Sequence, residues 1–252
     1  MPSLFALTII AISVVITSFI SGILGMAGGM ILMGILLAFL PLPQAMMLHG
    51  VAQMAANGWR AWLWRGDVNW RVFRGVALGA LLVLAFFSVV QLSASKPVAY
   101  LMLGATPFIV FVLPKNLKLN VDRRGHSLLC GLSCSAIQLV AGVSGPLLDV
   151  FFIHSAMDRK QVVATKASTQ SFGHILKIFY FGVLLHAVNS AGANIEWWMA
   201  IGAVLLAMVG TTLSRKVLDK MTDANFRKWT RGTVLVAATC YLAAGVWLQW
   251  LH

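Results

Sequence analysis

The sequence predicts an all-α, polytopic membrane protein made of two inverted-topology repeats, each joining a broken, re-entrant helical hairpin to about three transmembrane helices. Three observations predict it. Of 252 residues, 60% are hydrophobic and only 10% charged, with a mean hydropathy of +0.86, whereas a soluble domain carries about 25% charged residues. Apolar stretches recur along the whole length and not at a single anchor. Two of them are short, and each follows a glycine-rich break at the same place in its half of the chain.

In chain order, apolar segments fall at 4–24, 28–40, 44–65, 70–92 and 96–114, then at 125–142, 146–156, 160–187, 196–214 and 229–250. The first lacks the basic start and small-residue cleavage site of a signal peptide, so it reads as a retained membrane segment. Crossing a bilayer takes about 20 helical residues, so 28–40 and 146–156 do not cross alone. They follow GMAGGM (Gly25 to Met30) and GVSGPL (Gly142 to Leu147). Short segments behind Gly/Pro breaks at matching positions of two halves are the sequence sign of a transporter binding site. A conventional count of about seven or eight spans is the alternative.

A shift of 117 residues lays Gly25 on Gly142, Gly28 on Gly145 and Gln44 on Gln161 without a gap. The same register lays His49 on Lys166, Gln53 on Gln170, Asn57 on His174 and Arg60 on Lys177. Polar matches in one register mark an internal repeat, because membrane helices share only a small apolar alphabet. Residues 1–120 form the first repeat and 121–252 the second, together one domain.

Connector charge orients the repeats. The net charge of +12 sits in short connectors, which argues for topology and against nucleic acid as a partner. Arg65, Arg71 and Arg74 make one connector basic; Lys115, Lys118, Arg123 and Arg124 make another. Arg159 and Lys160 mark a third, and the stretch from Arg215 to Arg231 a fourth. Connectors 40–43 and 186–195 carry no Lys or Arg, and 93–96 only Lys96. The basic set is cytoplasmic by the positive-inside rule, and equivalent connectors have opposite character, so the repeats are inverted. Hairpins 4–40 and 125–156 then bring their glycine breaks near the midplane, with both termini outside the cytoplasm. The nine tryptophans lie near predicted span ends, as interfacial anchors do.

Ionisable side chains inside spans are functional candidates by default. Lys166, Gln170, His174 and Lys177 are spaced four, four and three apart and share one helix face. His49, Gln53, Asn57 and Arg60 form the same stripe on the partner helix. Facing each other, the stripes would make a polar, positively biased cavity for an anion with several acceptor oxygens. Lys166 is also within snorkelling reach of the surface. At the tips, Gly28, Gly142 and Gly145 permit close approach, Ser144 offers a hydroxyl, and a helix opening at Pro146 would aim free N–H groups at the midplane. Asp149 is the acidic residue within a span; it either neutralises a lysine or, like His174, carries a proton coupled to transport. Cys130 and Cys134 share a helix face and read as packing residues. No metal or cofactor motif is present, and none is expected.

GILGMAGGMILMG, then GVSGPLLDVFF, then VVATKASTQSFGHILKIFYFG resemble the TauE/SafE family of sulfite-exporter-type anion permeases. The resemblance covers nearly the whole chain. It implies export of small sulfur-containing or organic oxyanions such as sulfite, sulfoacetate or other organosulfonates, from a bacterial inner membrane. The second break reads GVSGP where many members keep a run of glycines, a departure that bears on substrate choice. The expected partners are a small anion, the lipid bilayer and, for an oligomer, further copies of the chain. Rival readings are an intramembrane enzyme using Asp149, His154 and His174, against which stands the lack of an HExxH or nucleophile motif, and a non-transporting assembly subunit.

Overall fold

A computed structural model describes residues 3–24, 26–109, 119–185, 195–218 and 223–250. All regular structure among them is helical. The helices are α1 (Leu4–Leu24), α2 (Met26–Phe39), α3 (Leu42–Leu63), α4 (Trp70–Val90), α5 (Lys96–Ala105), α6 (His126–Ala141), α7 (Gly145–Phe152), α8 (Arg159–Phe179), α9 (Trp197–Leu218) and α10 (Asp223–Trp250). A π-helical turn, Tyr180–Leu184, extends α8. The expected order of segments is the observed order. Expectations resting on Gly25, on Lys115 and Lys118, on connector 186–194 and on the basic side chains between 215 and 231 fall outside the described residues.

Among the described residues, four helices are long and apolar enough to cross a membrane: Leu4–Ile23 in α1, Trp70–Val90 in α4, Trp197–Ser214 in α9 and Gly232–Trp250 in α10. Their outward faces carry exposed large side chains, among them Ile12 and Ile16, Leu78 and Phe86, Leu205 and Val209, and Val246 and Trp247. In lipid such a surface is satisfied, whereas in water a belt this extensive would drive aggregation. The chain is a multi-pass membrane protein. Helices α3 and α8 have 22 and 21 residues, long enough to cross, yet their polar stripes remove them from that apolar set. They pack against each other instead, with α9 against α3 and α4 against α8. Polar helices thus lie inside and apolar ones outside.

Helix pairs build the rest. The closest packed are α1 with α9, α4 with α6, α3 with α8 and α5 with α10. Between α1 and α9 the contact is made by small residues, with Gly22 against Ser214 and Gly210 against Ser18, the close-packing device of membrane helices.

Two helix pairs, α1–α2 and α6–α7, form hairpins among the described residues. The α6–α7 hairpin turns at Gly142, whose φ of +82° is left-handed and whose N–H returns to Gln138 O at 2.9 Å. This ends α6 as glycine does after a helix C-terminus. The α1–α2 hairpin is closed by Gly28. A Cβ there would lie 2.0 Å from Thr17 O and 2.6 Å from Ser21 N, so only glycine lets the two helices pack this closely.

The connectors sort into two ends. Lys96 Nζ donates to Leu40 O, and Tyr180 hydroxyl donates to Leu92 O, which groups the weakly charged connectors 40–41 and 91–96. At the other end Asn69 N–H donates to Thr165 Oγ1, Asn120 Nδ2 to His154 O, and Ala156 N–H to Asp122 Oδ2. That end holds Arg65, Arg71, Arg123, Arg124, Arg159 and Lys160.

Candidate functional site: a buried polar centre between two hairpin tips

Where α3 crosses α8, the two stripes meet. Burying polar side chains in a membrane costs several kcal/mol unless each finds a partner, and most here have one. His49 Nε2 lies 2.9 Å from Gly29 O. A carbonyl only accepts, so Nε2 carries the proton and Nδ1 is left as an acceptor. Lys177 Nζ donates to that Nδ1 at 2.8 Å and to Gly142 O at 3.0 Å. One ammonium therefore ties α8 to α3 and to the second hairpin tip, while His49 ties α3 to the first. Lys177 is wholly buried.

His174 stacks edge-on against His49, with ring centroids 5.5 Å apart. Its Nδ1 accepts from Gln138 Nε2 at 3.1 Å, and Gln138 Oε1 accepts from Ser144 Oγ at 3.1 Å. Ser144 is the residue before α7, yet its hydroxyl makes no helix cap; it is spent on Gln138. Just beyond Lys177 the helix widens into its π turn, and Tyr180 hydroxyl donates to Phe87 O and Leu92 O. Such turns recur at functional sites, and here the tyrosine holds the α8 end in place.

Between these groups lies a cavity of about 20 Å³, lined by Ser21, Gly29, His49, Gln53, Asn57, Gln138, Val143, Ser144, Gln170 and His174. That is room for about one water. The lining comes from both hairpin tips and from the middle of α3 and α8. Gln53 is buried, and its Nε2 has no hydrogen-bond partner.

The anticipated residues distribute unevenly. His49, Gln53, Asn57, Ser144, Gln170 and His174 line the cavity. The cations do not: Lys177 is turned towards Gly142 and His49, and Lys166 pairs with Asp149, with 26% and 41% of those two side chains exposed. Arg60 lies one helical turn past Asn57, with Nη2 buried and unpartnered. The lining is accordingly amide, hydroxyl and imidazole, where a positively biased one was expected. A cation in a low-dielectric interior requires acceptors, and Lys177 finds them in Gly142 O and in the Nδ1 of His49, whose ring belongs to the lining. Gly28 packs against α1, and Gly145 opens α7 outside the lining. The residues of the rival enzyme reading have separate settings: Asp149 pairs with Lys166, His154 is exposed, and His174 is buried on Gln138.

Gln138 and Ser21 were missed. Each stands four residues before its glycine break, at equivalent positions of the two halves. A polar residue one helical turn before the break in both halves of the chain was the signal.

No curated protein and no solved structure matches the chain. The family model described as Sulfite exporter TauE/SafE matches residues 9–242, a span that takes in both hairpin tips, both stripes and the polar centre between them. The chain belongs to the TauE/SafE sulfite exporter family.

Proposed function

We propose that the chain exports small sulfur-containing or organic oxyanions, sulfite or an organosulfonate among them, by alternating access around the polar centre. The observation that carries this reading is the cavity itself. Two broken hairpins and the middle of two polar helices converge on it, and its lining is rich in N–H and O–H donors backed by the Lys177 ammonium. Acceptor-rich anions are held by such donors. Family membership narrows the class to anion export.

The inverted-repeat reading is part of the proposal, and helix pairing supports it. Under the 117-residue shift α1 corresponds to α6 and α3 to α8, and in each half the following helices take the places of α4 and α5. The α1–α9 pair then exchanges with α4–α6, while α3–α8 and α5–α10 each exchange with themselves. The segregation of basic and weakly charged connectors to two ends supports it further. Rocking one repeat against the other would open the cavity to each side in turn. At about 20 Å³ the cavity is smaller than a sulfur oxyanion, so loading requires α3, α8 or a hairpin tip to move. His174 remains a proton-coupling candidate through its place in the centre. Asp149 is a weaker one, since its partner is Lys166 at the rim.

The test is reconstitution of the full chain in proteoliposomes with sulfite, methanesulfonate and sulfoacetate as probes. Saturable flux above empty vesicles is expected for at least one. Absence of flux for all three, with the protein shown folded, overturns the reading. An imposed pH gradient that drives accumulation would add proton coupling.

A further inference from the structure

Two buried donors on α3 have no hydrogen-bond partner, Gln53 Nε2 and Arg60 Nη2. They are seven residues apart, two helical turns, and so lie on one face about 10 Å apart along the axis. Asn57 stands between them on that face and lines the cavity with Gln53. The equivalent cation on α8 is in the opposite condition, since Lys177 spends its N–H groups on Gly142 O and His49 Nδ1.

Direction follows from the packing. Lys177 meets His49, and further along the pair Gly58 lies beside Ser171, so α3 and α8 run antiparallel. Lys177 stands at the α8 end that leads to connector 186–194. Arg60 stands at the α3 end that leads to Arg65, Arg71 and Arg74, the basic face that the positive-inside rule assigns to the cytoplasm. The row of unused donors therefore begins at the cytoplasmic face and ends at the cavity. An enclosed N–H without an acceptor is unfavourable, and the guanidinium fork is shaped to take two oxygens of one oxyanion.

Building on the anion-transport reading, we propose that Arg60 and Gln53 form the cytoplasmic half of the anion path. An oxyanion entering between α3 and α8 docks first on Arg60, then passes along Asn57 to the Gln53 amide over the cavity. Lys177 serves the opposite half. Arg60 is thus a sided docking residue, and its removal affects loading from one face only.

The experiment uses the full chain in proteoliposomes, with orientation fixed by labelling one face, and reads initial sulfite and methanesulfonate rates with the anion presented to each face in turn. Arg60→Gln should raise KM at the face of connector 65–74 by about tenfold, one lost charged hydrogen bond, and leave KM at the other face within about twofold. Arg60→Lys, which keeps the charge without the fork, should fall between wild type and Arg60→Gln at the same face. Equal changes at both faces, or no change at either, overturn the docking role while the transport reading stands. If Arg60→Gln does not fold, Arg60→Lys decides by the same comparison of faces. A wild-type protein that moves neither anion overturns the transport reading, and the path with it.

Discussion

The stripes on α3 and α8 share one pattern, with polar residues spaced four, four and three apart, and they do different work. The first position is His49 on α3, buried and joined to the first hairpin through Gly29. Its equivalent on α8 is Lys166, partly exposed and paired with Asp149 at the rim. The last position reverses the relation. Lys177 on α8 is buried and doubly satisfied, whereas Arg60 on α3 has a buried N–H to spare. The difference teaches that a shared spacing supplies matching places on two helices and leaves each side chain to find its own acceptor. A lysine reaching into the centre finds a carbonyl and an imidazole; one near the start of its helix finds a carboxylate.

Removing Lys177 should break the comparison most sharply. Lys177→Met leaves His49 Nδ1 and Gly142 O enclosed without a donor, at about 1–3 kcal/mol each, and should abolish sulfite flux in proteoliposomes while lowering the melting temperature in detergent. Lys166→Met should do neither to a comparable degree. Equal losses from both lysines would mean that depth does not separate the stripes.

The hairpin tips should differ next. Gly28→Ala sets a Cβ 2.0 Å from the Thr17 carbonyl oxygen, where the backbone cannot yield. Gly142→Ala meets the Met33 thioether at 2.6 Å, which can swing away, and pays about 1–2 kcal/mol for its left-handed conformation. Thermal unfolding should rank Gly28→Ala as the more damaging. The opposite order would show that φ, and not the hairpin contact, sets the cost.

Gln138→Leu should have an intermediate effect. It frees Ser144 Oγ and His174 Nδ1 together, so flux should fall about tenfold with a stability loss of about 1–3 kcal/mol. The Ser144→Ala variant should account for only part of that loss, because the His174 contact remains. The smallest change belongs to the rim: Asp149→Asn removes a partly exposed ion pair worth about 0–1 kcal/mol. Its flux should stay within about twofold of wild type, and a large loss there would move Asp149 from neutralising partner to carrier.

Helix order and the two breaks were legible because they are local. Gly28 and Gly142 stand at breaks followed by hydrophobic runs too short to cross a membrane, and the i, i+4, i+8 spacing of His49, Gln53 and Asn57 defines a face without reference to anything else. The meeting of the two stripes was legible too, through the 117-residue register. Gln138 and Ser21 were not picked out, since a single polar residue in an apolar helix has many uses, and only its place beside the break distinguishes it.

By itself, then, the sequence determined an all-α membrane protein, where its helices break and which faces are polar, because composition and periodicity act within one helix. The tertiary structure decided which of those polar groups are spent and which are free. Lys177 reaches His49 across 128 residues, and Lys166 is held to Asp149 instead of the centre. Those pairings depend on how helices distant in the chain are set against each other, because a buried donor is satisfied by whatever acceptor the packing brings within about 3 Å.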